Sequence, residues 1–539
     1  MDDFLWWRDG VIYQIYPRSY ADSNDDGLGD LPGITARLDY LADLGIDAIW
    51  LSPIYPTPDK DFGYDVSDHS AVDPRFGTLA DFDRLVAEAH KRGIRVILDL
   101  VLNHTSDQHP WFRESRASRE NPKRDWHIWR DPKPSPCKGE DRVGVNRPPN
   151  NWQSVFGGRA WTYDKTTGQY YYHMFLPEQP DVNWRNPEVR EAQLDVVRFW
   201  LERGVDGFRL DVFNAYFKDA QLRNNPPKFG LRAFDRQHHA NDCDQPEMIP
   251  LLNELRTMLD SYDERYAVGE TFLGTPQKAA SYCGPDLLHT AFSFDFTLRR
   301  FDPRQFLDAI RQWEGALGTK AWPNYTLSNH DTPRNATRYT HGEDDARAKV
   351  ALALLLTLRG TPFLYYGEEI GMRDISLRRN EILDPPGRRY WPIYKGRDGC
   401  RSPMQWDDSP NAGFCPPVVQ PWLPVHPNYR TRNVAAQRED PASMLNFTRR
   451  LIALRRENPA LRRGTFVPLT CESRHALAYL RHSPEQTVLV ALNFANRPIR
   501  VACDLPLPAA NWHLLLSTAR DNLPRLELTP YEVCILAMM

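Results

Sequence analysis

Between residues 11 and 369 the chain alternates short apolar, β-branched runs with helical patterns. VIYQIY (11–16), AIWLSP (48–53), RVILDLVLNH (95–104), GFRLDV (207–212), RYAVGE (265–270), TAFSFDF (290–296), YTLSNHD (325–331) and PFLYYGEE (362–369) make eight such runs. Alternation of this kind is the signature of parallel strands joined by crossover helices. Eight strands with intervening helices predict an α/β fold, a (β/α)8 TIM barrel.

The spacing is uneven, and the excesses carry information. A plain barrel of about 250 residues allows roughly 30 per strand-helix unit, yet GFRLDV follows RVILDLVLNH after roughly a hundred residues. Residues 105–178, rich in Trp, Pro, Asn and Tyr and holding the short runs AWTYD and QYYYHMF, are therefore expected to form an inserted domain. Further excesses lie at 213–250 and 370–440. All follow the C-terminal ends of strands, the barrel face where substrates bind. After a helix over SMLNFTRRLIALRRE (443–457), the runs HALAYL, TVLVALNF, RPIRVAC, HLLLST and EVCILAM follow one another without helices. They predict an antiparallel β-sandwich. The expected organisation is a barrel over 1–104 and 179–460, an insertion over 105–178, and a C-terminal β-sandwich domain over 461–539.

Composition serves mainly to exclude. A formal net charge of -4 gives no reason to expect nucleic acid or an anionic membrane surface. The start, MDDFLWWRDG, is acidic where a signal peptide needs basic residues, and the most apolar stretch, VALALLLTL at 350–358, is too short to cross a bilayer. The eight cysteines (Cys137, Cys243, Cys283, Cys400, Cys415, Cys471, Cys503, Cys534) are scattered singly, with no spacing suited to zinc. A reduced, cytoplasmic protein is expected. The 16 Trp and 23 Tyr supply flat rings that suit the apolar faces of sugars.

At 22–30 the chain reads DSNDDGLGD, with side-chain oxygens at Asp22, Asn24, Asp26 and Asp30 and glycines at 27 and 29. The pattern copies the first nine positions of a calcium-loop signature, but the twelfth position is Gly33 where a bidentate glutamate belongs. It reads either as a loop that wraps a hard cation or as a solvated acidic turn before a helix.

Three acids end three of the strand runs: Asp211 in GFRLD, Glu270 in AVGE and Asp331 in SNHD. Clustering like charges on one rim is destabilising without a use. The chemistry that wants two carboxyl groups in opposite protonation states is glycoside hydrolysis. Arg209, two residues before Asp211, points to the same side of its strand and can keep that carboxylate ionised. Asp211 is thus the better nucleophile and Glu270 the better acid.

The motifs DLVLNH (99–104), GFRLDV (207–212), VGE (268–270) and SNHD (328–331), in this order and strand context, make the chain resemble the α-amylase superfamily, glycoside hydrolase family 13. The resemblance spans the whole chain and is nearest to the α-glucosidase and oligo-1,6-glucosidase branch. It implies that Asp211 forms a covalent glucosyl-enzyme, that Glu270 protonates the leaving oxygen and then activates water or an acceptor alcohol, and that Asp331 binds the 2- and 3-hydroxyls. By the same resemblance His104 and His330 bond glucose hydroxyls, Asp99 is a buried partner, Asp61 and Tyr64 hold the terminal glucose, and Phe156, Phe175 and Gln179 line the mouth. Arg401 is expected to pair with Asp61 at the closed end of the pocket. The opening loop becomes a structural metal loop, with Asp22, Asn24, Asp26 and Asp30 as side-chain ligands, Leu28 offering its carbonyl, and calcium favoured over magnesium. No catalytic cofactor is implied.

The implied activity is a retaining α-glucosidase that removes single glucose units from maltose-type α-1,4 substrates and transfers glucose to alcohols. Val212, after the nucleophile, is the residue found in α-1,6-selective relatives and keeps an oligo-1,6-glucosidase reading open. The long segment FNAYFKDAQLRNNPPKFG resembles α-1,4-specific glucosidases that transfer glucose. Sucrose isomerisation and trehalose synthesis are rivals separable by product analysis. A non-enzymatic binding scaffold of the same fold would have lost the acids and carried a membrane anchor. Oligomeric state is open.

Overall fold

The computed structural model describes residues 4–133, 147–340, 342–501, 512–521 and 527–538. Cys137 and Cys503, the latter closing the expected run RPIRVAC, lie outside them. Each of the eight expected runs overlaps a strand: β1 (Ile12–Ile15), β2 (Ala48–Leu51), β3 (Arg95–Leu100), β4 (Gly207–Leu210), β5 (Tyr266–Glu270), β6 (Thr290–Phe292), β7 (Asn324–Thr326) and β8 (Thr361–Tyr365), the last two starting one residue before their runs. They form one parallel sheet in the order β7-β8-β1-β2-β3-β4-β5-β6, a nearly closed barrel. At the remaining seam side chains reach across: Asn324 Nδ2 donates to Thr290 Oγ1 at 3.1 Å and Thr297 Oγ1 donates to the Thr326 carbonyl at 2.8 Å.

The helices show why these segments fold locally. The helix Leu79–Lys91 starts on a capping box in which Thr78 and Asp81 satisfy each other's backbone N–H groups. It buries Phe82, Leu85, Val86 and Ala89 at helical spacing. Ala346–Thr357 is buried almost throughout because it is covered by both the barrel and the C-terminal sheet.

The barrel's lower end is closed by charge. Asp206, one residue before β4, accepts from Val96 N at 2.8 Å and faces His90 at 2.6 Å, Arg95 at 3.0 Å and Arg265 at 3.5 Å. The segment 105–178 contains a three-stranded antiparallel sheet, Trp129–Arg130, Gln169–Tyr172 and Trp161–Asp164, whose rings pack over the β4 end at Val212 and Ala215. After the helix Met444–Glu457, a five-stranded antiparallel sheet is laid down by Thr465–Pro468, Ala476–His482, Thr487–Asn493, Val533–Met538 and His513–Ser517, beside a two-stranded pair Ile499–Arg500 and Glu527–Leu528. Among the described residues no helix is long and apolar enough to cross a membrane.

Candidate active site

Strand geometry builds the centre of the site. Side chains two apart share a face, so Arg209 and Asp211 emerge together at the top of β4. Arg209 is fully buried, and one nitrogen, Nη1, lies 2.7 Å from Asp99 Oδ1 on β3 and 2.6 Å from Asp211 Oδ1. Its other terminal nitrogen donates to Glu270 at the end of β5. One cation therefore serves three carboxyl groups, where the strand pattern alone suggested service to Asp211. Val212 follows in a left-handed conformation (φ 34°), a costly place for a β-branched residue, and its N–H points at Glu270 Oε2 at 3.3 Å.

The protonation states follow from this sharing. Burial is the largest influence on both acids and raises them; with Arg209 pulling each down and the neighbouring acids pushing each up, Glu270 stands at about 8 and Asp211 at about 7. A hydrogen bond with Glu270 further lowers Asp211. The order leaves the proton on Glu270 when Asp211 is ionised. Burial also opposes ionisation of Asp331, but the guanidiniums of Arg397 and Arg401 overcome it and hold that carboxyl well below the usual range. His330 is driven down to about 3 by burial and is neutral.

His330 is oriented from two sides. Gln14 Nε2 donates to Nδ1 at 2.8 Å, which leaves the hydrogen on Nε2, 2.6 Å from Tyr64 OH. Tyr64 stacks on the imidazole at 5.3 Å and donates to Asp99 Oδ2 at 3.0 Å. His104, with Asn103 beside Nδ1 at 3.1 Å, meets the Tyr64 carbonyl through Nε2 at 2.9 Å. Gln179 donates to Asp61 Oδ2 at 3.3 Å and to the same carbonyl at 3.1 Å.

The expected Asp61–Arg401 pair is not what forms. Arg397 Nη2 holds Asp61 Oδ1 at 2.6 Å, while Arg401 reaches Asp331 at 3.0 Å and the His330 carbonyl at 2.8 Å. The reason is position in the turn Asp398–Arg401: Arg401 closes it against His330 and Asp331, beyond β7, and Arg397, at its start, is the side chain directed across the pocket to Asp61. Arg397 also binds Asp331 at 3.1 Å and Asp384 at 2.7 Å, and lies over the Phe156 ring at 5.3 Å.

These groups open into one cavity of about 880 Å³. Asp61, Tyr64, His104, Phe156, Phe175, Gln179, Asp211, Glu270 and Asp331 line it, whereas Arg209, His330 and Arg401 lie behind its wall. Sequence reasoning missed Arg397, and with it Leu231, Arg232, Phe272, Tyr390, Ile393 and Tyr394 on the wall. The available signal was the excess length of the segments after β4 and β8. It also missed Lys218, buried behind the site, which binds Asp181 at 2.6 Å and Asn103 at 2.8 Å and so ties the insertion's return to the residue beside His104.

The acidic loop lies at the outer surface. Asp22 accepts from the N–H groups of Asn24, Asp25 and Gly27, Asn24 from Asp26, and Asp26 from Leu28. Asp30 is buried, accepts from Ser23, and caps the helix Leu31–Ala36 through Gly33 N at 2.7 Å. Among the described residues no three His, Cys, Asp or Glu side chains are grouped to hold a metal. The side-chain oxygens of Asp22, Asn24 and Asp26 are hard donors of the kind calcium takes, and here they accept from the loop's own N–H groups.

A family model for the catalytic domain of α-amylase matches residues 14–464. A probable α-glucosidase of Rhizobium meliloti is 45% identical over 510 residues, covering 91% of this chain and 90% of the relative. An oligo-1,6-glucosidase of Parageobacillus thermoglucosidasius is 40% identical, covering 92% and 91%. Among solved structures, an α-glucosyl transfer enzyme, XgtA, is 43% identical with a TM-score of 0.91 and full coverage of both chains.

Proposed function

The chain belongs to the α-amylase family, glycoside hydrolase family 13, in its α-glucosidase and oligo-1,6-glucosidase branch, and from that premise we propose a retaining, exo-acting α-glucosidase that also transfers glucose to alcohols. The observation that carries the reading is the pair Asp211 and Glu270 on neighbouring nitrogens of one guanidinium, with Glu270 the weaker acid. Two carboxyl groups so close belong to the retaining geometry; an inverting pair must leave room for a water between them.

Asp211 attacks the anomeric carbon as a carboxylate while Glu270 gives its proton to the leaving oxygen. As that proton leaves, Arg209 faces two anions and compensates the charge that develops on Glu270. Asp331, kept ionised by Arg397 and Arg401, accepts from sugar hydroxyls and stabilises the oxocarbenium-like transition state. Polarimetry or NMR of maltose cleavage should show α-glucose first. Early β-glucose would refute the retaining assignment.

Exo action rests on the Asp61–Arg397 pair, which sets a charged side-chain pair across the floor where a further sugar would have to pass. Maltotriose carrying a 4,6-ketal on its terminal glucose should resist cleavage that free maltotriose undergoes. For linkage we favour maltose-type α-1,4 substrates. Val212 on the cavity wall and the resemblance to an oligo-1,6-glucosidase support the second reading, α-1,6. Paired rates on maltose and isomaltose decide between them. The proposal extends to a structural hard cation at Asp22, Asn24, Asp26, Asp30 and the Leu28 carbonyl, which would stiffen the exposed loop and supply no step of the chemistry; Asp30 would have to give up bonds it now accepts from Ser23 and Gly33. It extends also to a reducing, cytoplasmic setting, in keeping with the buried free thiols of Cys243, Cys283 and Cys400.

A further inference from the structure

The catalytic cavity changes chemistry along its depth. Its floor is ionic, built on Asp61, Asp331 and Arg397. Its mouth is walled by carbon. Leu231, on the segment after β4, is 86% exposed, and Ile393, on the segment after β8, is 96% exposed, and both line the cavity. Phe272, two residues beyond Glu270, and Val155 from the insertion continue the wall. Large aliphatic side chains left in water at the lip of a ligand cavity mark a surface that is completed by something apolar. Here they come from segments far apart in sequence that meet at the mouth, where Arg232 lies over the Tyr390 ring at 5.9 Å. Of the polar groups at this level, Tyr390 and Tyr394 present ring faces with a single hydroxyl each, and the charged pair Arg232 and Asp235 are bound to each other through Nε–Oδ2 at 2.9 Å and Nη2–Oδ1 at 2.8 Å. The pair is already satisfied and offers a sugar's hydroxyls little.

From this division we infer that the mouth is an acceptor site for amphipathic alcohols, one hydroxyl on an alkyl or aryl body, in preference to sugars. The inference rests on the proposed glucosyl-enzyme. In the second half-reaction the Glu270 carboxylate takes the proton of the acceptor hydroxyl, and the acceptor oxygen forms its bond to the anomeric carbon. The bond from that carbon to Asp211 breaks, and its electron pair returns to the carboxylate. The product is an α-glucoside of the alcohol. Only the hydroxyl has to reach Glu270, and the rest of the molecule lies against Leu231, Ile393 and Phe272. While it does so it keeps water from the ester. A polyol in the same place would set its remaining hydroxyls against carbon without partners.

The test supplies maltose as donor with equal concentrations of benzyl alcohol and glycerol, and measures the ratio of benzyl to glyceryl glucoside. The wild-type ratio should exceed 1 by about 10-fold, and the double variant Leu231→Ser/Ile393→Ser should lose most of that preference. Ile393→Phe should raise it. Because each ratio is internal to one variant, a general loss of turnover does not mimic the effect. A wild-type enzyme that prefers glycerol, that only hydrolyses, or whose ratio the double variant leaves unchanged overturns the inference and leaves the glucosidase reading standing. Failure to cleave maltose or isomaltose at all overturns both.

Discussion

The two ends of the barrel use the same charges in opposite proportions. At the bottom one buried acid, Asp206, meets His90, Arg265, a backbone N–H and Arg95, the last shared with the exposed Glu264. At the top a single cation, Arg209, is surrounded by Asp99, Asp211 and Glu270. The lower arrangement oversupplies counter-charge and needs nothing further to be stable. The upper one undersupplies it, so that acids compete for one guanidinium and at least one of them holds its proton at neutral pH. Excess counter-charge makes a clamp; a deficit makes a proton donor. The difference separates residues that keep the barrel folded from those that work in it.

The comparison breaks most visibly at Asp211. Asp211→Asn should lower kcat on maltose by more than about 10³-fold, while relief of like-charge crowding should hold Tm steady or raise it. A fall in Tm with activity retained would place Asp211 with the clamp. Asp206→Asn should do the reverse, lowering stability by about 3 kcal/mol in denaturant titration with near-normal turnover in the fraction that stays folded. Arg397→Met leaves Asp61 and Asp384 without their shared partner, and kcat/KM for maltose should fall roughly 10- to 100-fold. A loss confined to kcat, with KM unchanged, would contradict the assignment of Arg397 to the glucose-binding floor.

The pH profile sharpens the account of the upper end. Activity needs Asp211 ionised and Glu270 protonated, so kcat/KM should fall below about 7, as Asp211 takes up a proton, and above about 8, as Glu270 loses its own. In Glu270→Gln the alkaline limb should vanish; its survival would assign that limb to another group. The smallest effect is expected at the acidic loop. Asp26→Ala, or chelation of the intact protein, should lower Tm by about 2 °C and leave turnover per folded molecule unchanged.

How much of this was legible depends on what holds each residue in place. Asp211 and Glu270 sit at strand ends, where the period of two and the parallel sheet dictate the face and the height of a side chain. The eight strands were legible for the same reason, whereas Asp331, beyond the end of β7 at Thr326, was legible through the SNHD motif. Arg401 was given the partner that belongs to Arg397 because a loop without periodicity does not say which of two arginines four residues apart turns inward. The Leu231 and Ile393 lip was invisible, since nothing local distinguishes an exposed leucine beside a cavity from one on a bare loop. Lys218 was equally hidden: of its partners, Asn103 lies before the insertion and Asp181 just after it, and no local pattern joins either to position 218.

The placement of Arg397 bears on how the enzyme comes into being. The nucleophile is at 211, yet the side chains that ionise Asp331 and close the floor at Asp61 are at 397 and 401. At a synthesis rate of about 5–20 residues per second, roughly ten to forty seconds separate their appearance on a ribosome. Through that interval the nascent chain carries both catalytic carboxyl groups for most of the time, but in an unfinished pocket that cannot grip a sugar. Activity therefore begins late in translation, and fragments released early carry nucleophile and acid but no working active site.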